Sequence, residues 1–264
     1  RILDIPTILD WNNTYQMPIF VTATCEFTRF DDPVRTSAGE YVLLNAGGGG
    51  VALLTTTRLV YAGPNFTLNQ AFYDALFNRP DDEVITRLGD VYRVCKNDAS
   101  SSSANHRNFS LIGDPALPMA LPKYDIQATA ITDTSGNPID TLKALGVARV
   151  SGNVLNLSGQ VNSNFSGIVE ATVYDRVKQR TTLGNDGGST FTYPTQEDVV
   201  YRGLAEVNNG EFTFDFVLPK DISFAVDTTA RISFYAYTET TDATGFEDEL
   251  KIGGRDENAV NDGQ

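Results

Sequence analysis

The chain has 264 residues, 41% of them hydrophobic and 20% charged, with a formal net charge of −14. Domains cluster at about 100–150 residues, so two domains are expected, each large enough to bury a core. The acidity argues against nucleic acid as a partner and against adhesion to anionic lipid surfaces, because both need clustered Lys and Arg, and no apolar run approaches the roughly 20 residues that cross a bilayer.

The two cysteines, Cys25 and Cys95, form no CxxC pair, and the single histidine, His106, cannot build a His-rich metal site. Two cysteines are too few for a disulfide scaffold and leave the redox compartment open. The chain opens on Arg-Ile-Leu-Asp-Ile-Pro, without Met or a secretory pattern, as a mature or excised segment would. That opening does not argue for the cytoplasm.

From the start, Ile19 to Thr24 is a β-branched run after Pro18 and reads as a buried parallel strand. Ser37 and Glu40 stand at capping-box spacing and open a helix carrying Tyr41, Val42, Leu43 and Leu44, which ends at Gly47 to Gly50. Val51 to Thr57 is a second buried strand. Thr67 caps the next expected helix, with Leu68, Ala71, Phe72, Ala75 and Leu76 on one face. Asp82 to Lys96 reads as a further helix with Val84, Leu88, Val91 and Cys95 on its stripe. Asp98 to Asn108, with Ser100 to Ser103, reads as a polar loop, and Phe109 to Gly113 as a third strand ended by Asp114-Pro115. Strands alternating with helices predict a parallel sheet with crossover helices over residues 1–122. Three strands are few for a three-layer domain, so upstream strands are expected in the parent protein.

After residue 123 the period changes to two. Strands are expected at Tyr124–Ile131, Val154–Val161, Gly167–Asp175, Val199–Val207, Glu211–Leu218, Ala230–Thr238 and Leu250–Ile252, with Asn208-Asn209-Gly210 as a hairpin turn. Asn185 to Gly188 and Asp242 to Gly245 read as loops. About seven strands over residues 123–253 predict an immunoglobulin-like β-sandwich, and 254–264 reads as a flexible tail or linker. The expected fold class is therefore α/β plus all-β.

Cys25 is the residue placed for chemistry. It follows a parallel strand and precedes a polar loop, and in open α/β sheets chemistry sits at the carboxyl ends of strands. A thiol there meets the conditions for a thiolate nucleophile, although buried structural cysteines are common. Cys95, on a helix stripe, reads as core. Gly47 to Gly50 is not a phosphate loop, since no Lys-Ser or Lys-Thr follows. Asp31 and Asp32 suit substrate or calcium contacts, or simple solvation.

The segments Thr22-Ala23-Thr24-Cys25-Glu26-Phe27, Arg29-Phe30-Asp31-Asp32-Pro33 and Thr36-Ser37-Ala38-Gly39-Glu40 resemble the nucleophile region of the gingipain family of cysteine peptidases. Their nearest likeness is to its sortase branch, found in the type IX secretion system of Bacteroidetes. Asn108 to Leu117 resembles the family's closing strand and Gly-Asp-Pro turn. The resemblance implies a caspase-like fold for the first part and a Cys–His dyad with Cys25 as nucleophile. The family's histidine stands in a Gly-His-Gly motif ahead of the cysteine. This sequence has no such motif and His106 follows Cys25, so the resemblance places the dyad histidine upstream of Arg1 and leaves His106 a surface residue.

By the same resemblance Glu26, Arg58 and Tyr61 are substrate-binding candidates. No cofactor is implied, with room left for structural calcium. The implied activity is removal of C-terminal secretion domains from cargo proteins and their replacement by a lipopolysaccharide amine. The implied location is the cell surface, at the outer membrane beside other secretion components. A hydrolytic peptidase and a non-catalytic surface-binding module are the alternatives.

Overall fold

In the computed structural model, residues 3–77, 87–98, 104–185, 187–220, 222 and 228–256 are described, and the chain divides into two compact units, 1–120 and 121–264. The first begins with the short helix α1 (Ile5–Leu9), N-capped by Asp4, whose Oδ1 accepts the Thr7 amide at 3.0 Å. Strand β1 (Ile19–Val21) follows, shorter than expected, and then helix α2 (Ala38–Leu44). The Glu40 carboxylate accepts both the amide and the hydroxyl of Ser37, each at 2.7 Å, so the capping reading holds.

The glycine run after α2 is a packing device. Gly49 has φ +112° and lies so close to the Val42 carbonyl that a Cβ would fall 2.0 Å from its oxygen. Only glycine meets both demands. The Asn13 side chain then clasps Gly49, accepting its amide at 2.8 Å and donating to its carbonyl at 3.0 Å.

Strand β2 (Ala52–Thr56) is buried at every residue. It pairs in parallel with β1, Ile19 opposite Ala52 and Val21 opposite Leu54. Helix α3 (Ala62–Phe77) starts five residues before the expected Thr67 cap. Pro64 explains the shift, since a proline in the first turn needs no partner for its missing N–H. Thr67 lies inside the helix and its hydroxyl donates back to the Gly63 carbonyl at 3.3 Å. The buried face, Leu68, Phe72 and Leu76, is the expected one.

Helix α4 (Leu88–Asp98) buries Leu88, Val91 and Cys95 as expected; the expected start from Asp82, with Val84, lies outside the described residues. The expected loop before Asn108 ends instead in helix α5 (Ala104–Asn108), and strand β3 (Phe109–Ile112) follows. β3 runs antiparallel to β2, Leu53 opposite Ile112 and Thr56 opposite Phe109, so the expected all-parallel sheet is mixed, in the order β1-β2-β3. Among the described residues, two long helices, α3 and α4, lie between β2 and β3. Cys95, near the end of α4, donates to the Leu68 carbonyl near the start of α3 at 3.3 Å. The helix pair thus returns the chain to the carboxyl end of β2, where the Thr57 amide meets the Asn108 carbonyl at 2.8 Å. The Gly-Asp-Pro turn then caps α4, with the Leu117 and Pro115 carbonyls accepting the amides of Leu88 and Gly89, both at 2.8 Å.

The second unit contains β4 (Tyr124–Thr132), β5 (Thr141–Ala144), β6 (Val147–Leu155), β7 (Gly167–Tyr174), β8 (Lys178–Thr181), β9 (Thr192–Thr195), β10 (Val199–Asn208), β11 (Glu211–Val217), β12 (Thr228–Thr229), β13 (Arg231–Tyr237), β14 (Asp242–Glu247) and β15 (Lys251–Arg255). The expected immunoglobulin-type sandwich is replaced by a closed barrel, β10-β11-β6-β4-β14-β13-β7. Closure comes at two narrow seams. β10 meets β11 only at Val207–Phe212 and Asn208–Glu211, and β4 meets β14, in parallel, only at two pairs from Tyr124–Ala243.

The expected strand Val154–Val161 sits earlier, in β6, because the Asn156 side chain accepts the Ser158 and Gln160 amides and turns the chain. Asp242 to Gly245, read as a loop, belongs to β14, and β15 carries the chain past Gly253, where a tail was expected. Asn209 and Gly210 have φ +52° and +83°, the paired left-handed conformation of a two-residue hairpin, as the sequence implied. Phe212, Phe214, Phe216 and Leu218 point inward and join Phe165, Ile232 and Phe234 in the core.

Two outcomes test these packings. Phe234→Ala, at 1% exposure, should cost about 3–5 kcal/mol of second-unit stability in urea unfolding followed by far-UV circular dichroism. In the first unit, burial pushes Cys95 from 9.0 up to about 11 and Tyr92 from 10.0 up to about 12. Both groups are neutral when protonated, so the stability they contribute is full below pH 9 and is lost as the pH rises towards 12. Trp11, the only tryptophan, is stacked on Phe20 at 5.3 Å in this unit. Its fluorescence should report a urea midpoint that falls across that alkaline window, less steeply in Cys95→Ala.

Candidate active site

Beyond Val21 the backbone leaves β1 and loops back, and each even-numbered residue from 22 to 28 is tied to β2 or its continuation. The Thr22 amide donates to the Leu54 carbonyl at 2.9 Å, and the Thr24 carbonyl accepts from the Thr56 hydroxyl. The Glu26 amide donates to the Arg58 carbonyl at 3.3 Å, and the Thr28 amide to the Thr56 carbonyl at 3.1 Å. Cys25 lies between these ties and faces solvent. Its Sγ leans on the Val60 carbonyl at 3.5 Å. Cys25 thus stands exposed in the loop, four residues past the end of β1 rather than directly after it.

Glu26, directly after the cysteine, has φ +52°, the left-handed conformation that side chains other than glycine adopt rarely and at a cost of about 1–2 kcal/mol. The bend lets the chain reverse, and α2 holds the reversal, since the Gly39 amide donates to the Phe27 carbonyl at 2.9 Å.

Two carboxylates of the loop, Glu26 and Asp31, carry an arginine partner. Glu26 Oε1 meets Arg29 at 2.9 Å, and Asp31 takes a two-pronged contact from Arg58, one prong at 3.0 Å. The hydrogen bond from Arg58 holds the Asp31 carboxyl below the usual carboxylate range. Asp32 accepts the Val34 amide at 3.0 Å and so serves the loop. The site is therefore locally balanced although the chain is strongly acidic.

Arg58 and Tyr61 lie on the segment that flanks the thiol through Val60. Tyr61 is exposed, and its backbone is gripped by Asn105 of α5, which accepts its amide at 2.7 Å and donates to its carbonyl at 3.1 Å. Asn108 donates to the Leu59 carbonyl at 3.0 Å. The sequence reading missed these two asparagines. The polar stretch carries no period, and only a tertiary contact reveals their role.

His106, on the same helix, is half-buried rather than a surface group. Its Nε2 engages the Lys96 carbonyl at 2.5 Å, so the ring is spent there and not on Cys25. Cys95 is fully buried, as expected. Among the described residues, no group of three or more His, Cys, Asp or Glu could hold a metal, and no helix is long and apolar enough to cross a membrane.

Residues 1–120 match the model of Peptidase family C25. The match lies within the first unit, which is thus similar to that peptidase family. Among solved structures the chain is similar to dimeric latent PorU from Porphyromonas gingivalis, with 28% identity and a TM-score of 0.49 over 82% of this chain and 21% of that one. It is also similar to the Arg-specific cysteine proteinase gingipain R, with 17% identity and a TM-score of 0.41 over 95% of this chain and 49% of that one. The chain thus spans 21% of the length of the first of these proteins and 49% of the second. No curated protein matches it.

Removing the Arg58 partner should be visible in the acid range. Arg58→Ala should raise the Asp31 carboxyl towards 3.8, read by NMR titration of that side chain. The sign follows from linkage: a depressed carboxyl stabilises above its unfolded value and loses that contribution as the pH falls through its folded one.

Proposed function

We propose that the parent protein is a cysteine endopeptidase of gingipain type in which Cys25 is the nucleophile. The observation carrying this reading is the exposed thiol of Cys25 at the carboxyl end of a parallel strand, inside the segment that matches a cysteine-peptidase family. A histidine preceding this segment in the parent assists deprotonation of Cys25. The thiolate attacks a peptide carbonyl, and the Cys25 N–H with a second amide from the histidine loop holds the oxyanion. The histidine then protonates the leaving amine, leaving a thioester on Cys25. Glu26, Arg58 and Tyr61 border the thiol and contact substrate.

The resemblance of residues 22–40 to the sortase branch favours transfer of that acyl group to an amine over transfer to water. On this reading the substrates are cargo proteins bearing C-terminal secretion signals, the acceptor is a lipopolysaccharide amine, and the enzyme works at the cell surface with other outer-membrane secretion components.

The test is alkylation of the parent protein with iodoacetamide as a function of pH, mapped by mass spectrometry, with Cys25→Ala as control. Rapid labelling at Cys25 with an apparent pKa well below the free-thiol value of about 8.5 is expected, while buried Cys95 stays unmodified. Labelling of Cys25 only after denaturation, or with an ordinary thiol profile, would overturn the assignment. Cleaving a peptide substrate with and without an added amine then separates transfer from hydrolysis by product mass.

A further inference from the structure

Backbone pairing between β1 and β2 ends at Val21 and Leu54. At the next rung the ladder continues through side chains. The Thr22 hydroxyl donates to the Thr55 hydroxyl at 2.7 Å. The loop then passes through Cys25 and returns to the same oxygen, where the Thr28 and Thr55 hydroxyls lie 3.0 Å apart. Thr55 is fully buried and Thr28 is 1% exposed. One hydroxyl has one donor and two acceptor sites, enough to serve both partners.

An apolar strand position would be filled equally well by valine, and a buried hydroxyl is costly unless paired. Here the pairing is complete and joins the two feet of the loop, each three residues from Cys25. Helix α2 closes the clamp from the far side: a Cβ built on Gly39 would fall 1.8 Å from the Thr28 hydroxyl oxygen. Thr28 is therefore held between α2 and Thr55. The neighbouring Thr56 does a separate job, reaching the Thr24 carbonyl.

We propose that Thr55 is a positioning residue for the Cys25 nucleophile, fixing through Thr22 and Thr28 the place of the thiol relative to the bond it attacks. This rests on the reading of Cys25 as nucleophile. Thr55 touches neither substrate nor sulfur, so its effect is on the chemical step rather than on substrate binding.

The experiment compares Thr55→Val and Thr55→Ser in the parent protein. Each is assayed for kcat and KM on a peptide substrate and for the pH profile of Cys25 alkylation, with protection of Cys95 as the reporter of a folded first unit. Thr55→Val keeps the shape and loses the hydroxyl. It should lower kcat by about 10- to 100-fold with KM little changed and blunt the alkylation profile, while Thr55→Ser should stay close to wild type. Thr22→Val removes one arm from a half-buried site and should move kcat the same way by less.

If folded Thr55→Val retains wild-type kcat and alkylation, the proposal is wrong. It is equally wrong if Thr55→Ser fails as badly as Thr55→Val. Should Thr55→Val expose Cys95, Thr22→Val decides, and an unchanged kcat there overturns the idea. A wild-type protein that neither turns over substrate nor alkylates rapidly at Cys25 would instead remove the nucleophile assignment itself.

Discussion

The burial of β2 along its whole length is the constraint on which the first unit depends. Ala52, Leu53 and Leu54 lie on the apolar core, and Thr55 and Thr56 carry that burial to the strand's carboxyl end. There the backbone of β1 has already turned away; β3 still pairs with the backbone of Thr55 and Thr56, and their buried hydroxyls turn to residues 22–28 for partners. In meeting their own hydrogen-bonding needs they fix the course of residues 22–28. The cysteine loop is thus shaped by the same rule that governs any buried strand end, applied where a thiol stands.

Charge follows a comparable logic at shorter range. The chain carries a large negative excess, yet Glu26 and Asp31 are each answered by an arginine within a few ångströms of the thiol loop. Exposed pairs of this kind contribute little to stability. Their weight is local, because they restrain anionic side chains in the loop that carries the exposed thiol. Glu26 also accepts a left-handed backbone, where the chain must bend sharply directly after the cysteine.

The sequence was readable wherever a residue's own neighbours determine its state. Alternation exposed the inward row Phe212, Phe214, Phe216, the spacing of Ser37 and Glu40 marked a helix start, and the β-branched run after Pro18 marked β1, although that strand ends at Val21 rather than Thr24. It was unreadable where direction or distant partners decide. Nothing in Phe109 to Ile112 tells which way β3 runs; that follows from the return of α4 along α3. Asn105 and Asn108 sit in a polar stretch without period, and their side-chain contacts lie more than forty residues away in the chain. Seven alternating strands fit a sandwich and a closed ring equally well, and the choice rests on two short seams. The thiol was legible, but the hydroxyls beneath it were not, because threonine in a strand is ordinary.

At the far edge of the first sheet, Phe109 offers its carbonyl outward, where an unpaired strand would be open to any passing chain. The Tyr92 hydroxyl and the Lys96 ammonium group both bond that carbonyl, from a helix packed alongside. Those two side chains occupy a hydrogen-bonding place that a foreign strand would need. At that one carbonyl an added strand would have to displace a half-buried lysine before it could bond.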